Sequence, residues 1–304
     1  MPKLKIGTRG SPLALYQAHE TRNRLMAAHG LAENDIEIVV ITTTGDRVRD
    51  RPLSEIGGKG LFTKEIEEAL FERSIHLAVH SMKDMPAQLP DGLIMAALLP
   101  REDPRDAFLS PVAANIDALE HGATVGSSSV RRAAQLKRLR PDLNVIQFRG
   151  NVETRLKKLA DGVAQATFLA CAGLNRLGLA DKITSIVSVD LMLPAVAQGC
   201  IGIETRDDDD ATRDILAPLN HGETASAVTC ERAFLAALDG SCRTPLAGHA
   251  HLADGRVIFR GHALTLDGVH CFETTRDGSP EDAARMGREA GEEVKAMGGS
   301  LIAF

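Results

Sequence analysis

A short apolar run, residues 75–79, leads directly into a dense polar group and constrains the fold more than any other feature. Such a run is typical of a buried strand. The polar group consists of His80, Ser81, Lys83 and Asp84. Pro86 cannot donate a backbone hydrogen bond, so it ends the strand and turns the chain. Because ligands of open α/β sheets bind beyond the carboxyl ends of the strands, we predict an α/β sheet with a site for charge chemistry at Lys83 and Asp84. A solvated turn with a surface ion pair is the alternative interpretation.

The first strand–helix unit carries a second candidate site. Residues 3–7 form a predicted strand, and Ser11 and Pro12 are favourable N-cap and first helical residues for the helix that follows. A loop with Arg9 ahead of a capped helix N-terminus favours a bound anion. Gln17 lies in the early turns of this helix and is placed to face the same ligand.

Residues 42–60 form a long polar segment that is rich in arginine and glycine and ends in Gly57-Gly-Lys-Gly60. A loop of this length in a compact domain is typically a lid or disordered, so we expect a mobile lid that carries Lys59. It is not a phosphate-binding Walker A loop, because position 53 is not glycine and a glycine follows Lys59. No GxGxxG motif follows a predicted strand either, so the sequence does not predict nucleotide binding.

A second α/β unit concentrates positive charge in an acidic chain. The net charge is −6, yet residues 131–158 contain nine Lys or Arg. Arg131 and Arg132 lie in the first turn of a helix that is predicted to follow a strand at 123–126. Cations at this end oppose the helix dipole, so their placement favours a bound anion beside them.

Further arginines follow the next predicted strands of this unit: Arg149, Arg155 and Arg176. Arginine binds carboxylate or phosphate through two planar hydrogen bonds, so we expect a polyanionic ligand. A solvated basic helix face and a nucleic-acid surface are the alternatives. Aromatic residues make up only 3% of the chain, without any tryptophan, so platforms for base stacking are scarce. We therefore expect no nucleic-acid partner.

Two linker-like stretches, residues 100–105 and 194–199, divide the chain, and a strand at 200–204 is predicted to return to the first unit. Past residue 219 a helix is followed by three strands joined by Asp-Gly turns, which are typical of hairpins, and by a last helix. The predicted domains are 1–99 with 200–218, 100–199, and 219–304. The predicted fold class is α/β: two lobes around a cleft, like a two-lobed anion-binding protein, plus a small C-terminal α+β domain with a three-stranded antiparallel sheet.

The cysteines predict neither a disulfide framework nor a metal site. There are five, with no CxxC pair and no histidine at metal-ligand spacing. Unpaired thiols favour a reducing cytoplasm, and neither a signal peptide nor a membrane-spanning apolar run is predicted. Cys242 alone lies in a polar loop, beside Arg243, where a neighbouring cation favours the thiolate. The other four are predicted to be inert core thiols.

The chain resembles the porphobilinogen deaminase (hydroxymethylbilane synthase) family nearly end to end. The residues that carry the resemblance are Thr8-Arg-Gly-Ser-Pro-Leu-Ala-Leu15, Gly57-Gly-Lys-Gly-Leu-Phe62, His80-Ser-Met-Lys-Asp-Met-Pro86, Arg101-Glu-Asp-Pro-Arg-Asp-Ala107, Gly126-Ser-Ser-Ser-Val-Arg-Arg132, Arg149-Gly-Asn-Val-Glu-Thr-Arg155 and Gly240-Ser-Cys242. The resemblance implies three domains, two of them built like a periplasmic binding protein. It also implies a transferase that joins four porphobilinogen molecules head to tail, releasing four ammonia molecules and a linear tetrapyrrole.

The resemblance implies a dipyrromethane cofactor, bound by a thioether to Cys242, on which the chain grows. Asp84 matches the catalytic aspartate, which stabilises the cation left when ammonia departs and helps to move protons. The implied cofactor-binding residues are Lys83, Ser128, Ser129, Arg131 and Arg132. The implied substrate-binding residues are Arg9, Ser11, Gln17, Ser81, Arg149, Arg155, Arg176 and Gln198. A cytoplasmic monomer without metal is implied. The alternative is a non-catalytic two-lobed binding protein for a small polycarboxylate.

Overall fold

The computed structural model describes residues 3–47, 60–239 and 244–302. The chain divides into two compact units. Unit 1 comprises residues 1–102 and 200–225, and unit 2 comprises residues 103–199 and 226–304. Unit 1 contains one sheet, and unit 2 contains two. The division into three domains stays a prediction.

Unit 1 is built on a five-stranded sheet with the order β2-β1-β3-β10-β4. Its strands are β1 (Leu4–Thr8), β2 (Ile36–Val40), β3 (Leu77–Ser81), β4 (Leu93–Leu98) and β10 (Ile201–Arg206). Strands β2 and β3 run parallel to β1, whereas β10 runs antiparallel to β3 and β4. The strand expected at 200–204 thus joins the first sheet. Buried Ile6, Leu77 and Ile203 contribute to its core.

The helices of unit 1 are α1 (Pro12–His29), α2 (Thr44–Arg47), α3 (Lys64–Phe71), α7 (Asp210–Leu216) and the start of α8 (Gly222–Ala237). Helix α1 begins as predicted, because the Ser11 side chain accepts a hydrogen bond from the Ala14 N–H. It ends at Gly30, whose φ of 64° lies in the left-handed region that closes helices.

Strand β3 lies two residues later than the predicted run 75–79. Ile75 belongs to the turn after α3, where its N–H donates to the Ala69 carbonyl. At the other end, His80 and Ser81 pair with Gly202 and Ile201 of β10. The polar group therefore starts inside the strand, because the neighbouring antiparallel strand extends the hydrogen-bonded ladder.

The first sheet of unit 2 has the order β7-β6-β8-β5-β9. Its strands are β5 (Asp106–Leu109), β6 (Thr124–Gly126), β7 (Asn144–Ile146), β8 (Ala166–Ala170) and β9 (Ser185–Ile186). Its helices are α4 (Val130–Leu139), α5 (Val152–Ala160) and α6 (Cys171–Arg176). Strands β7 and β8 run parallel to β6, whereas β5 runs antiparallel to β8. In sheet order, three mutually parallel strands are followed by an antiparallel strand, β5 here and β10 in unit 1. Phe108 and Phe168 pack edge to face in its core.

The second sheet of unit 2 is the expected antiparallel meander, with β11 (Leu246–Ala253), β12 (Arg256–Leu264) and β13 (Cys271–Gly278) in that order. Helix α9 (Ala283–Gly298) packs against it and against α8. The two helices lie so close at Gly287 that an added Cβ would lie 2.0 Å from the Cys230 carbonyl oxygen. The predicted α/β fold with a C-terminal α+β part is confirmed. None of the helices in the described residues combines the length and hydrophobicity that a bilayer span requires.

Candidate active site

One pocket in unit 1 brings together five residues that the sequence analysis assigns to the catalytic or substrate site. They are Arg9, Ser11, Gln17, Ser81 and Asp84. They come from the loop after β1, the first turns of α1, the end of β3 and the turn that follows it. The carboxyl ends of neighbouring parallel strands therefore supply the pocket, as expected for an open α/β sheet.

Asp84 is exposed at the end of a single 3₁₀ turn, Met82–Asp84. Met82 anchors this turn, since its side chain is 2% exposed and its N–H donates to the Cys200 carbonyl. Its sulfur packs on the bare backbone of Gly202, where an added Cβ would lie 2.1 Å away. The buried methionine thus holds the exposed aspartate at the pocket wall, and Lys83, also exposed, is its neighbour.

Polar pairs fix the floor of the pocket behind Asp84. The Gln17 Nε2 lies 2.8 Å from the Ser81 Oγ, which joins α1 to the end of β3. His80 is buried, and its Nε2 lies 2.9 Å from a carboxylate oxygen of Glu204 on β10. These contacts restrict the rotamers of the groups that a ligand would meet.

Arg9 is held by two partners that the sequence analysis did not single out. Its guanidinium forms a two-point ion pair with Asp46 of α2, with Nε 3.1 Å from Oδ2. Its guanidinium carbon also lies 4.2 Å from the centre of the Phe62 ring, a cation–π contact. Burial favours a raised pKa of Asp46, but the hydrogen bond and the charge of Arg9 outweigh it, so the pKa of Asp46 is lowered. In this structure Arg9, which is predicted to bind the substrate, is already paired with the carboxylate of Asp46.

A second cationic group lies in unit 2 around Asp106, which is fully buried at the start of β5. Its Oδ2 lies 2.8 Å from Arg131 Nη1 and its Oδ1 lies 2.7 Å from Arg132 Nη2. Burial would raise the pKa of Asp106, but the two arginine charges outweigh it and hold this pKa well below its usual value. Arg131 and Arg132 also donate to the carbonyls of Leu193 and Phe168. Helix α4 thus presents two arginines that one carboxylate fixes in place.

Gln198 and Arg176, both predicted to bind the substrate, are buried in the same unit. The Gln198 Nε2 donates to the Pro104 carbonyl at 2.6 Å and to Asp106 Oδ1 at 2.9 Å. The Arg176 Nη2 donates to the Gly199 carbonyl at 2.9 Å. Both side chains support the fold of unit 2, and their contact with a substrate stays a prediction.

The remaining predicted anion binders of unit 2 flank β6 and β7. Ser128 accepts from the Phe148 N–H at 2.9 Å, and Ser129 caps helix α4. Arg155 Nε donates to the Gly150 carbonyl at 2.9 Å. Arg149 is half-buried, and its Nη1 has no hydrogen-bond partner among the residues that the structure describes.

These residues fit a dipyrromethane cofactor, whose rings carry acetate and propionate carboxylates. Besides Arg149 Nη1, the Nε atoms of Arg131 and Arg132 are buried without a hydrogen-bond partner in the described part of the chain. Buried donors left unpaired cost free energy, which a ligand carboxylate would recover. The donor set, guanidinium and hydroxyl groups, is chemically matched to carboxylates.

Several predicted features lie outside the described residues. They include Cys242 with its neighbour Arg243, Lys59, and most of the predicted lid, residues 42–60. The other four cysteines are free thiols; Cys171, Cys200 and Cys230 are buried and Cys271 is half-buried. Burial raises the pKa of Cys171 and of Cys230 to about 12, as expected of inert core thiols.

The sequence analysis missed the internal carboxylates that hold the arginines. Asp46 lies within the predicted lid, and Asp106 lies in the motif at residues 101–107, to which the sequence assigns no ion-pair partner. The signal for Asp106 was available, since it is the acidic first residue of an otherwise apolar strand. A charge in such a strand needs a buried partner.

The fold and these side chains define an α/β protein whose arginine and hydroxyl groups are chemically matched to carboxylates, with the exposed Asp84 in the pocket of unit 1. Comparison with known proteins gives the family. The chain matches the family model "Porphobilinogen deaminase, dipyromethane cofactor binding domain" over residues 4–214 and the model "Porphobilinogen deaminase, C-terminal domain" over residues 225–296. The chain belongs to the porphobilinogen deaminase family.

Curated relatives support this assignment over nearly the whole chain. A porphobilinogen deaminase of Paracoccus denitrificans is 60% identical over 292 residues, which covers 96% of this chain and 93% of the relative. One of Nitrobacter winogradskyi is 54% identical over 294 residues, which covers 97% and 93%.

Solved structures give weaker similarity. The VFT2 domain of Bordetella pertussis BvgS matches with a TM-score of 0.42 and 18% identity, covering 71% of this chain and 84% of that domain. A periplasmic substrate-binding protein of an ABC transporter from Coxiella burnetii matches with 0.43 and 12%, covering 71% and 91%. The strand orders of the two units define the fold independently of these matches.

Proposed function

We propose that the protein condenses four porphobilinogen molecules head to tail into the linear tetrapyrrole hydroxymethylbilane, releasing four ammonia molecules, on a dipyrromethane primer attached to Cys242. Membership of the porphobilinogen deaminase family supports the activity and the cofactor. The observation that carries the assignment of the site is the unit 1 pocket, where Asp84 shares a lining with Arg9, Ser11 and Gln17.

Substrate binding uses guanidinium, hydroxyl and amide groups that can donate hydrogen bonds to carboxylates. Porphobilinogen carries an acetate and a propionate, and in unit 1 Arg9, Ser11, Gln17 and Ser81 line the pocket next to Asp84. Arg9 binds a substrate carboxylate in exchange for Asp46. Arg149, Arg155, Arg176 and Gln198 of unit 2 contribute to binding of the growing chain.

Cofactor binding falls to Lys83, Ser128, Ser129, Arg131 and Arg132, with the covalent bond at Cys242. When bound, the dipyrromethane supplies the pyrrole ring to which the first new unit is joined. Asp106 fixes Arg131 and Arg132 through two ion pairs, so that their unpaired Nε donors meet the ligand carboxylates without a large loss of side-chain entropy. Lys59, in the predicted lid, contributes a further cation to binding.

Asp84 acts on the reacting carbon. Departure of ammonia from the aminomethyl group of porphobilinogen leaves a cationic methylene-pyrrole, and a fixed carboxylate stabilises that cation. When the new carbon–carbon bond has formed, the attacked ring loses a proton to recover its aromaticity, and Asp84 assists that transfer. The buried Met82 anchors the turn that carries Asp84.

The family also supports a cytoplasmic monomer. Sedimentation of the purified protein at micromolar concentration tests the monomer, and the expected mass is that of one 32.5 kDa chain with its cofactor.

The activity is tested by incubating the purified protein with porphobilinogen and measuring ammonia and linear tetrapyrrole together. The expected ratio is four ammonia molecules per tetrapyrrole, with no product from Cys242→Ala. Tight binding of porphobilinogen without release of ammonia would instead identify a non-catalytic polycarboxylate-binding protein.

A further inference from the structure

Three side chains capable of binding a metal ion meet on one face of the antiparallel sheet of unit 2. His262 on β12 lies directly opposite Glu273 on β13. Cys271 is two residues before Glu273, so the period-two alternation of a strand puts it on the same face. One ring nitrogen of His262, the Cys271 Sγ and one carboxylate oxygen of Glu273 all lie within 4.8 Å of one another. The three side chains come together through antiparallel pairing of β12 and β13, so their spacing in the sequence does not predict the cluster.

The histidine of this group has an unsatisfied nitrogen. His262 is 6% exposed, and its Nδ1 lies 3.9 Å from the Glu273 Oε2. Its Nε2 is buried and has no hydrogen-bond partner in the described part of the chain. Burial lowers the pKa of His262, so the ring is neutral, which is the form that binds metals. His262 is thus a buried ring with an unpaired nitrogen beside a thiol and a carboxylate, a combination that favours a ligand.

Positive charge around the group determines which metals it can accept. Arg260 holds Glu273 through two contacts, Nε to Oε1 at 3.1 Å and Nη2 to Oε2 at 3.2 Å. Arg131 and Arg138 add positive charge near His262 and Cys271. A hard cation bound by charge alone would be repelled here. A softer cation also forms partly covalent bonds to sulfur and nitrogen, and this bonding offsets the repulsion from the arginines.

The carboxylate can turn to a metal at limited cost. Arg260 has a second carboxylate within reach, since its Nη1 lies 3.2 Å from Asp190 Oδ1. It therefore keeps an ionic partner when Glu273 gives one oxygen to a metal ion. The neighbouring His262 and the pairing with Arg260 hold the pKa of Glu273 at about 2, so it is ionised at neutral pH.

We propose that His262, Cys271 and Glu273 bind a divalent cation of borderline softness, for which Zn²⁺ is the reference, with water as the fourth ligand. Zinc accepts nitrogen, sulfur and oxygen ligands at about 2.0–2.3 Å in a tetrahedral arrangement, so the three atoms draw together by about 1 Å on binding. Mg²⁺ and Ca²⁺, which require oxygen ligands, are excluded. Binding converts the Cys271 thiol to a thiolate and releases its proton to solvent, while Glu273 is already ionised and His262 already neutral.

The test uses the full chain with its cofactor attached and titrates it with Co²⁺ and then with Zn²⁺ against a chromophoric chelator. Wild type should show near-ultraviolet absorption from a cobalt–thiolate bond, which Zn²⁺ abolishes. Cys271→Ser should lose this absorption, and His262→Gln should bind Zn²⁺ at least about tenfold more weakly, the lower end of the loss for disturbing a metal's surroundings. His270→Gln is the matched control on the same hairpin and should bind as wild type.

A fourth variant changes affinity in the opposite direction. Arg260→Gln removes the cation that competes for Glu273 and should bind Zn²⁺ more tightly than wild type. Misfolding cannot produce tighter Zn²⁺ binding. The Arg260→Gln variant therefore tests the site even if His262→Gln proves to be unstable. Absence of the cobalt–thiolate absorption in wild type overturns the proposal. Equal Zn²⁺ affinity of wild type, Cys271→Ser and His262→Gln does so too.

Discussion

Arg9 and Asp46 form a two-point ion pair at the wall of the unit 1 pocket, with Arg9 Nε 3.1 Å from Asp46 Oδ2. Thr43 donates a third hydrogen bond to the same carboxylate at 2.8 Å. The arginine that is proposed to bind porphobilinogen is therefore neutralised before substrate arrives. A substrate carboxylate has to compete with Asp46 for one guanidinium.

The first prediction follows from this competition. Asp46→Asn removes the competing charge, so the KM for porphobilinogen should fall by up to about fivefold, since a partly exposed ion pair contributes about 1 kcal/mol or less. The kcat should change little. Asp91→Asn, an exposed aspartate elsewhere in unit 1, is the control and should leave KM unchanged. A higher KM in Asp46→Asn would mean that Asp46 orients Arg9 for the substrate.

The second prediction concerns the role of Asp84. Asp84→Asn keeps the shape and removes the charge, so kcat should fall at least about a hundredfold, the scale of losing one preorganised electrostatic partner. Asp84→Glu keeps the charge one methylene away and should retain more activity than the Asn variant. Steady-state rates are compared on samples shown by mass to carry the cofactor. A near wild-type rate for Asp84→Asn would remove the residue from the mechanism.

The third prediction concerns Asp106 and its dependence on pH. Asp106→Asn leaves Arg131 and Arg132 buried without their charged partner, which should lower stability at pH 7 by about 3–5 kcal/mol. Because the pKa of Asp106 is lowered in the folded state, its stabilising effect is complete above the unfolded pKa of about 4 and is lost as the pH falls. The deficit of the variant should therefore shrink in acid.

Thermal unfolding of wild type and Asp106→Asn, measured between pH 7 and pH 3, checks this dependence. Asp142→Asn is the control, since that carboxylate pairs with Arg140 nearer the surface. A deficit of Asp106→Asn that stayed constant down to pH 3 would show that its charge is not the source of the stability.

The fourth prediction concerns Glu231, a fully buried carboxylate on α8. It accepts from the Ala197 N–H at 2.5 Å and from the Ala250 N–H at 2.6 Å, and so joins helix, linker and sheet within unit 2. In Glu231→Gln one of these N–H groups meets an amide that cannot accept, at a cost of about 1–3 kcal/mol. Its melting temperature should fall by several degrees. Glu223→Gln, exposed on the same helix, should melt with wild type; equal melting of all three proteins would contradict the structural role.

Local signals in the sequence predict much of the fold and the first half of the site. The cap at Ser11, the Asp-Gly turns and the alternation of apolar strands with helices are encoded by neighbouring residues. They place α1, the three-stranded meander and the edge that carries Asp84 close to where the structure has them.

Long-range contacts set what the sequence could not predict. Strand β3 extends to Ser81 because β10, more than a hundred residues away, pairs with it. Asp46 pairs with Arg9 from 37 positions away along the chain, and Asp106 pairs with Arg131 from 25 positions away. The cluster of His262, Cys271 and Glu273 forms through the register between two strands. Composition and spacing identify which side chains can carry charge, whereas tertiary pairing decides which of them are already neutralised.

The intact mass of the purified protein, before and after a limiting addition of porphobilinogen, shows whether a covalent primer on Cys242 carries the growing chain. We expect an initial mass that exceeds the sequence mass by two deaminated porphobilinogen units, which are absent in Cys242→Ala. Substrate should then add single deaminated units, up to four, before release restores the starting mass. Turnover of porphobilinogen by a protein of bare sequence mass would rule out the covalent primer.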